Sequence, residues 1–248
     1  MHRFYAESAE ENHTLFSLNA EDSYHAVRVL RLQKNDEAEI IFNRERYLAV
    51  IEDVSLSCVS MRCLSRLSST EPDLSVTLFQ GLPKGDKMDL IVQKAVELGA
   101  VRIVPVVFAR SIVHLNDTDA VRKAERWKKI AREAGKQSGR CCIPDISPVI
   151  PFSSLLSFLS GCDQTAVPWE ECKRGGPLSF FQRHPSLSSL GIVIGPEGGI
   201  TKNEMNKLLE MGCEAITLGK RILRTETAGI ASMSAFLSLY GEMEQLSS

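Results

Sequence analysis

Apolar and polar positions follow two different patterns along the chain, and the first covers residues 1–70. There, short β-rich runs at 38–42 and 47–51 alternate with turn signals. Residues 58–63 have the composition of a further strand, and a polar segment with a proline follows at 68–73. The pattern predicts a small N-terminal β-barrel domain over residues 1–70 that ends in a linker.

From residue 75 to residue 248 the pattern changes to strand and helix in alternation. Helices are predicted over 86–98, where apolar residues fall on one helical face, and over about 119–137. Strands are predicted at 76–80, 101–107, 164–167, 190–194 and 214–218. This alternation indicates an α/β fold with a mainly parallel sheet and helices on both of its faces.

Glycine-rich loops follow the last two predicted strands. The first is Gly195-Pro196-Glu197-Gly198-Gly199, and a capping-box pattern of Thr201 and Glu204 then begins a helix. The second loop opens at Gly219. Open α/β sheets bind ligands at the carboxyl ends of their strands, and glycine lets a backbone approach a ligand closely. The loops therefore predict a nucleotide-sized site, although a tight turn explains the glycines equally well, and neither a Rossmann nor a P-loop motif is present.

Composition and net charge exclude only a few classes of function. The chain has 248 residues and a net charge of −2, which gives no hint of a nucleic-acid partner. Its seven cysteines show no zinc-site spacing, so no metal is expected. An odd cysteine count without a signal peptide is typical of a reduced cytosol, and no apolar run approaches the ~20 residues of a membrane span.

One predicted helical segment, 121–140, is strongly basic. It contains eight cations against two acids, a local charge of +6. A charge-rich helix face is usually only solvated, yet this excess in a slightly acidic protein also fits a phosphate-binding surface. Its cations are Arg122, Lys123, Arg126, Lys128, Lys129, Arg132, Lys136 and Arg140.

The two glycine loops, together with Leu218-Gly219 and 221–228, resemble the SPOUT class of RNA methyltransferases. The chain is similar nearly end to end to the bacterial 16S ribosomal RNA uracil-N3 methyltransferase family. Segments that carry this resemblance also include 1–5, 25–32, 84–89, 93–99 and 133–140. The resemblance implies a PUA-like RNA-binding β-barrel over 1–70 and a SPOUT domain over 75–248, whose mainly parallel sheet contains a trefoil knot.

The resemblance also implies a cofactor, partners and a location. The cofactor is S-adenosyl-L-methionine, and the partner is 16S ribosomal RNA or the small ribosomal subunit. A cytoplasmic homodimer that requires no metal and no membrane is expected. Cofactor-binding residues are expected in the two loops: Gly195, Pro196, Gly198, Gly199, Leu218, Gly219, Ile222 and Leu223.

Catalytic residues are expected beside these loops. Arg224 is expected to orient a uracil carbonyl or a phosphate, and Glu226 to hold that arginine. Thr225 is a further candidate that alternatively caps a helix, and Glu197 either faces substrate or anchors its loop. RNA contacts are expected from Arg28, Arg31, Lys84, Lys87, Arg110, Arg126, Lys129 and Arg140.

Several questions stay open at the level of sequence. Residues 167–171 depart from the family's pattern, so any contact they make to the cofactor is undecided. Two alternative functions remain, namely a SPOUT methyltransferase acting on transfer RNA or 23S ribosomal RNA, and a non-catalytic RNA-binding protein. The sequence does not identify the target nucleotide or the group that accepts the proton. It also does not distinguish free RNA from an assembled subunit as the substrate.

Overall fold

The computed structural model describes residues 1–113 and 115–244. They divide into two compact units. The first contains Met1–Glu71 and Gly135–Cys142, and the second contains Pro72–Ala134 and the chain from Ile143 onward. A boundary beside residue 70 was expected, but no pattern in the sequence indicates that residues 135–142 join the first unit.

The first unit is built on one sheet. Its strands are β1 (His2–Tyr5), β2 (Ser8–Ala9), β3 (Leu15–Ser17), β4 (Glu37–Phe42), β5 (Glu45–Val54) and β6 (Val59–Leu67). They lie in the order β1-β4-β5-β6-β3-β2, and only β1 and β4 are parallel among the described pairs. Alternate side chains point to one face and form a core around Phe4, Phe16 and Ile40.

A short helix, α1 (Ala20–Tyr24), precedes the region predicted to carry RNA-binding cations. Asn19 caps it by accepting a hydrogen bond from the Asp22 backbone N–H at 2.8 Å. The chain then continues as a single π-helical turn over His25–Val29. Arg28 and Arg31 lie at this turn and just beyond it, and both are exposed.

Arg140 holds residues 135–142 to the rest of the first unit. It is only 3% exposed, and its Nη2 lies 2.6 Å from Glu71 Oε2. Its Nε donates to both oxygens of the same carboxylate, at 3.0 and 2.9 Å. The prediction that Arg140 contacts RNA is therefore wrong, because its guanidinium is buried against Glu71 and has no surface to offer a phosphate.

This ion pair predicts a pH-dependent stability. Burial alone would raise the pKa of Glu71, but Arg140 and the backbone N–H groups of Cys141 and Cys142 outweigh it and hold the pKa below the usual 4.5. A pKa lowered by folding contributes stability above pH 4.5 that is lost as pH falls through the folded value. We expect the melting temperature to fall on acidification below pH 4.5, and to depend less on pH in Glu71→Gln. Glu11→Gln, at an exposed site, is the control; identical pH profiles for the two variants would contradict this account.

The second unit is a layered α/β structure. Its strands are β7 (Ser75–Gly81), β8 (Ala100–Val107), β9 (Asp145–Ile146), β10 (Ile150–Pro151), β11 (Gln164–Pro168), β12 (Ser189–Ile194) and β13 (Glu214–Ile216). Its helices are α2 (Lys87–Glu97), α3 (Asp117–Ser138), α4 (Phe152–Leu159), α5 (Pro177–Arg183), α6 (Lys202–Glu210) and α7 (Thr225–Leu239). The boundary between the two units cuts α3 after Ala134.

The described strand pairs of this sheet are all parallel, as the alternating pattern predicted. The order is β10-β8-β7-β12-β11-β13, with β9 beside β8. Consecutive side chains of β7 point to opposite faces of the sheet. Leu78 packs with helices α2 and α7, whereas Phe79 packs with α4 and α6. The predicted α/β fold is confirmed, while the knot stays a prediction.

The strand order decides which loops become neighbours. β12 and β13 follow one another in the chain, but β11 lies between them in the sheet. Residues 167–171, at the end of β11, therefore lie between the two glycine loops. β13 also ends at Ile216 rather than at the predicted residue 218, because the backbone turns there: Gly219 N–H donates to Thr217 Oγ1 at 3.2 Å.

Candidate functional site

Two cavities open at the carboxyl ends of β11, β12 and β13. Their volumes are about 520 and 400 Å³, within the range of small-molecule sites. The larger is lined by the first glycine loop and the start of α7, and the smaller by residues 217–223. All eight residues predicted to bind a cofactor line one cavity or both. The residues shared by the two cavities are Pro168, Glu170, Ile222, Leu223 and Ala228.

Glycines in the first loop serve contacts within the protein as well as access for a ligand. A Cβ on Gly198 would lie 2.8 Å from Arg110 Cβ, and Arg110 Nη1 donates to the Gly198 carbonyl at 3.1 Å. The close backbone approach predicted at Gly198 is thus an approach to Arg110. On β7, a Cβ on Gly81 would lie 2.4 Å from the Pro196 nitrogen, so this position also needs glycine.

Thr225 ties the first loop to the start of α7. Its hydroxyl donates to the Gly195 carbonyl at 2.6 Å and accepts from Gln80 Nε2 at 2.8 Å. Gln80 Nε2 also donates to the Gly81 carbonyl at 3.0 Å. Gln80 is fully buried and Thr225 is 6% exposed, so water cannot easily replace these bonds. Thr225 does not cap α7: it is the first residue of that helix, and the N-cap residue, Arg224, makes no side-chain capping bond.

Lys87 and Glu197 line the larger cavity, and Lys87 pairs with a second carboxylate, Glu226. Lys87 Nζ lies 3.0 Å from Glu197 Oε1 and 3.4 Å from Glu226 Oε2. The Lys84 backbone N–H also donates to Glu197, at 3.1 Å. Burial works to raise the pKa of Glu197, but Lys87 and the backbone donors prevail and lower it. Glu197 therefore stays ionised and fixes the loop to the start of α2.

Arg224 is the exposed cation at the mouth of the larger cavity. It occupies the N-cap position of α7, with φ −65° and ψ 154°. Glu226 was expected to hold this arginine, but it pairs with Lys87 instead, so that expectation is wrong. In the described part of the chain, the Arg224 guanidinium makes no hydrogen bond or ion pair and is available to a ligand.

The second loop combines a backbone conformation that favours glycine with an apolar wall. Gly219 has φ +100°, which L-residues rarely adopt, and a Cβ there would touch nothing within 4 Å. Leu218 and Leu223 are half-buried, as expected of a cavity wall. Ile222 is 88% exposed, which is unusual for a large apolar side chain that lines both cavities.

The other predicted RNA contacts lie in different environments. Lys84 and Lys129 are exposed. Arg126 is engaged in an ion pair with Asp89 and lies 3.8 Å from Asp86.

Within the described ranges, His, Cys, Asp and Glu side chains gather nowhere in a group that fits a metal ion. Every described helix is too short or too polar to cross a lipid bilayer.

Gln80 and Glu170 are among the residues of the site that were not predicted. Gln80 is a fully buried polar residue near the end of β7, directly after Leu78 and Phe79, and its polarity beside these apolar residues was an available signal. Glu170 follows β11 and lines both cavities, with Oε1 only 2.5 Å from the position of a Cβ on Gly199. No local pattern could have shown this, because it depends on β11 lying between β12 and β13.

Comparison with known proteins gives the family. A family model described as an RNA methyltransferase domain matches residues 70–237, and one described as an RNA methyltransferase PUA domain matches residues 18–57. Ribosomal RNA small subunit methyltransferase E of Bacillus subtilis (strain 168) is 38% identical over an alignment of 245 residues that covers 95% of this chain and 95% of that protein. The protein of the same name from Aquifex aeolicus (strain VF5) is 29% identical over 249 residues, covering 96% of this chain and all of its own.

A solved structure extends the likeness to the fold. The ribosomal RNA small subunit methyltransferase E of Neisseria gonorrhoeae, bound to S-adenosyl methionine, is 32% identical with a TM-score of 0.82. The match covers 97% of this chain and 98% of that one. These similarities confirm the predicted resemblance, and the chain belongs to the ribosomal RNA small subunit methyltransferase E family of RNA methyltransferases.

Proposed function

We propose that this protein uses S-adenosylmethionine to methylate N3 of a uridine in 16S ribosomal RNA. The observation that carries the proposal is the gathering of all eight predicted cofactor residues around two cavities, in a chain of this family. The Neisseria gonorrhoeae relative binds this cofactor, and the names of the relatives specify the small-subunit RNA. The choice of N3 of uracil rests on the resemblance of the sequence motifs.

The lining residues fit the chemistry of the cofactor. Leu218 and Leu223 give an apolar wall for an adenine ring, and the glycine loop gives backbone groups for its polar atoms. Trp169 lines the smaller cavity, and its buried Nε1 has no hydrogen-bond partner among the described residues, so a donor is left for a ligand. When bound, S-adenosylmethionine supplies a methyl group on a sulfonium centre.

The four catalytic candidates have different surroundings, which support a different proposed role for each. Arg224 is unpaired and orients the uracil or its phosphate. Thr225 positions the first loop, since its hydroxyl is used in two buried hydrogen bonds. Glu197 anchors that loop through Lys87, and its lowered pKa makes it a poor proton acceptor at neutral pH. Glu226 supports Lys87 from the other side.

A homodimer in the cytoplasm completes the proposal. Ile222 lines both cavities and is 88% exposed, so a second copy of the chain that covered this side chain would bury apolar surface. The described residues contain no membrane-spanning helix, and the proposed RNA partner is cytoplasmic. Light scattering of the purified protein tests the predicted dimer.

The experiment that tests the function offers the enzyme a choice of RNA. The purified protein is incubated with methyl-labelled S-adenosylmethionine and with 16S ribosomal RNA, assembled small subunits, 23S ribosomal RNA or transfer RNA. We expect label in 16S RNA, recovered as N3-methyluridine, in the free or the assembled form. Label in 23S or transfer RNA instead would establish the first alternative, and RNA binding without any transfer would establish a non-catalytic protein.

A further inference from the structure

The cations of α3 are less available to RNA than the sequence suggested. Arg122 lies 2.9 Å from Asp119, and Lys128 lies 2.8 Å from Glu125. Arg126 is engaged with Asp89, and Lys136 lies 2.7 Å from Asp22. A phosphate would have to displace a carboxylate from each of these cations. Positive charge beside the cofactor site itself is therefore a further candidate for holding the RNA there.

A second group of cations lies around the smaller cavity. It comes from two short segments, one after β11 and one after β13. Its members, called here the cation rim, are Lys173, Arg174, Lys220 and Arg221. All four are exposed, and three of them, all but Arg174, line the cavity. In the described part of the chain, none of the four side chains forms an ion pair or a hydrogen bond.

Two hydrogen bonds and a close backbone approach hold the two segments of the cation rim together. The Thr217 N–H donates to the Gly175 carbonyl at 2.9 Å. Cys172 Sγ donates to the Ala215 carbonyl at 3.5 Å, and a Cβ on Gly176 would lie 3.1 Å from the Thr217 oxygen. The four cations therefore lie on two segments that are joined to each other, rather than on two independent loops.

The local charge balance favours an anionic partner. Glu170 is the one acid among the residues that line the smaller cavity, against three cations. The neighbouring Glu171 is engaged elsewhere, 3.4 Å from Lys202. A local excess of positive charge attracts anions. The whole chain has a net charge of −2, which makes this local excess more distinctive.

We propose that the cation rim binds the phosphate backbone of the RNA substrate beside the nucleotide that is methylated; the inference rests on the proposed function. A polyanion matches four cations better than S-adenosylmethionine does, because that cofactor has a single carboxylate. The planar guanidinium groups of Arg174 and Arg221 can each donate two hydrogen bonds to phosphate oxygens, and the two lysines add positive charge. Each phosphate neutralised releases condensed counterions, so the contribution weakens as salt rises.

The test compares matched double variants in the full-length protein. Lys173→Gln with Arg174→Gln, and Lys220→Gln with Arg221→Gln, each remove one lysine and one arginine from the cation rim. Arg102→Gln with Lys207→Gln removes the same charge from exposed positions elsewhere on the second unit. The measurements are affinity for 16S ribosomal RNA across a salt series, S-adenosylmethionine affinity by calorimetry, and melting temperature.

We expect each rim variant to bind RNA roughly tenfold more weakly at low salt, with a salt slope shallower by about 1.4, the value for two phosphates on a single strand. The control should match the wild type, and cofactor affinity should be the same in all proteins. Wild-type RNA affinity and slope in both rim variants would overturn the proposal. Weakened cofactor binding would assign the rim to the cofactor site, whereas a wild-type protein that binds no 16S RNA would remove the proposed function itself.

Discussion

Replacing Arg224 by alanine is expected to lower methyl transfer by about 10²-fold or more, the scale of losing one positioning or electrostatic contact. The guanidinium lies at the mouth of the larger cavity and is committed to no partner among the described residues. Its charge is therefore free to act on the uracil or its phosphate. Turnover and cofactor affinity are measured on the same preparation.

The accompanying variants separate charge from shape. Arg224→Lys keeps the positive charge but loses the planar guanidinium group, so it should recover only part of the activity. S-adenosylmethionine affinity should stay near the wild-type value in both variants. Wild-type turnover in Arg224→Ala would remove this residue from the site, and lost cofactor binding would reassign it to the cofactor pocket.

Replacing Thr225 by valine is expected to weaken cofactor binding roughly tenfold and to destabilise the fold. The change keeps the shape of the side chain but removes the hydroxyl that joins Gly195 to Gln80. Leaving buried partners unsatisfied costs about 1–3 kcal/mol, and tenfold in affinity corresponds to about 1.4 kcal/mol. Calorimetry with S-adenosylmethionine and thermal unfolding measure the two effects.

Thr227→Val is the matched control for this prediction. Thr227 lies on the same helix, two residues further on, but is exposed. It should retain wild-type cofactor affinity and melting temperature. If Thr225→Val bound the cofactor as the wild type does, the hydroxyl would have no part in shaping the first loop, even if the variant melted earlier.

Local patterns in the sequence predicted most of the regular structure. The predicted strand at 190–194 and helix at 86–98 match β12 (Ser189–Ile194) and α2 (Lys87–Glu97) to within one residue. The capping box of Thr201 and Glu204 is present with both of its hydrogen bonds. These features depend on contacts between residues close in the chain, which is why periodicity and capping residues reveal them.

The failures involve residues far apart in the chain. Arg140 matched a family segment, but its burial depends on Glu71, which is 69 positions away. The partner of Glu226 turned out to be Lys87, and the neighbour that requires a glycine at position 198 is Arg110. Charge and composition identify such residues as candidates, but only the tertiary structure shows which opposite charge lies nearest.

Mapping of modified nucleosides in small-subunit RNA tests the central claim most directly. The RNA is isolated from cells with and without this protein, digested and analysed by mass spectrometry. The account predicts one N3-methyluridine in 16S ribosomal RNA that disappears without the protein and returns when the wild-type chain, but not Arg224→Ala, is restored. An unchanged set of modified nucleosides in 16S ribosomal RNA from cells lacking the protein would contradict the account.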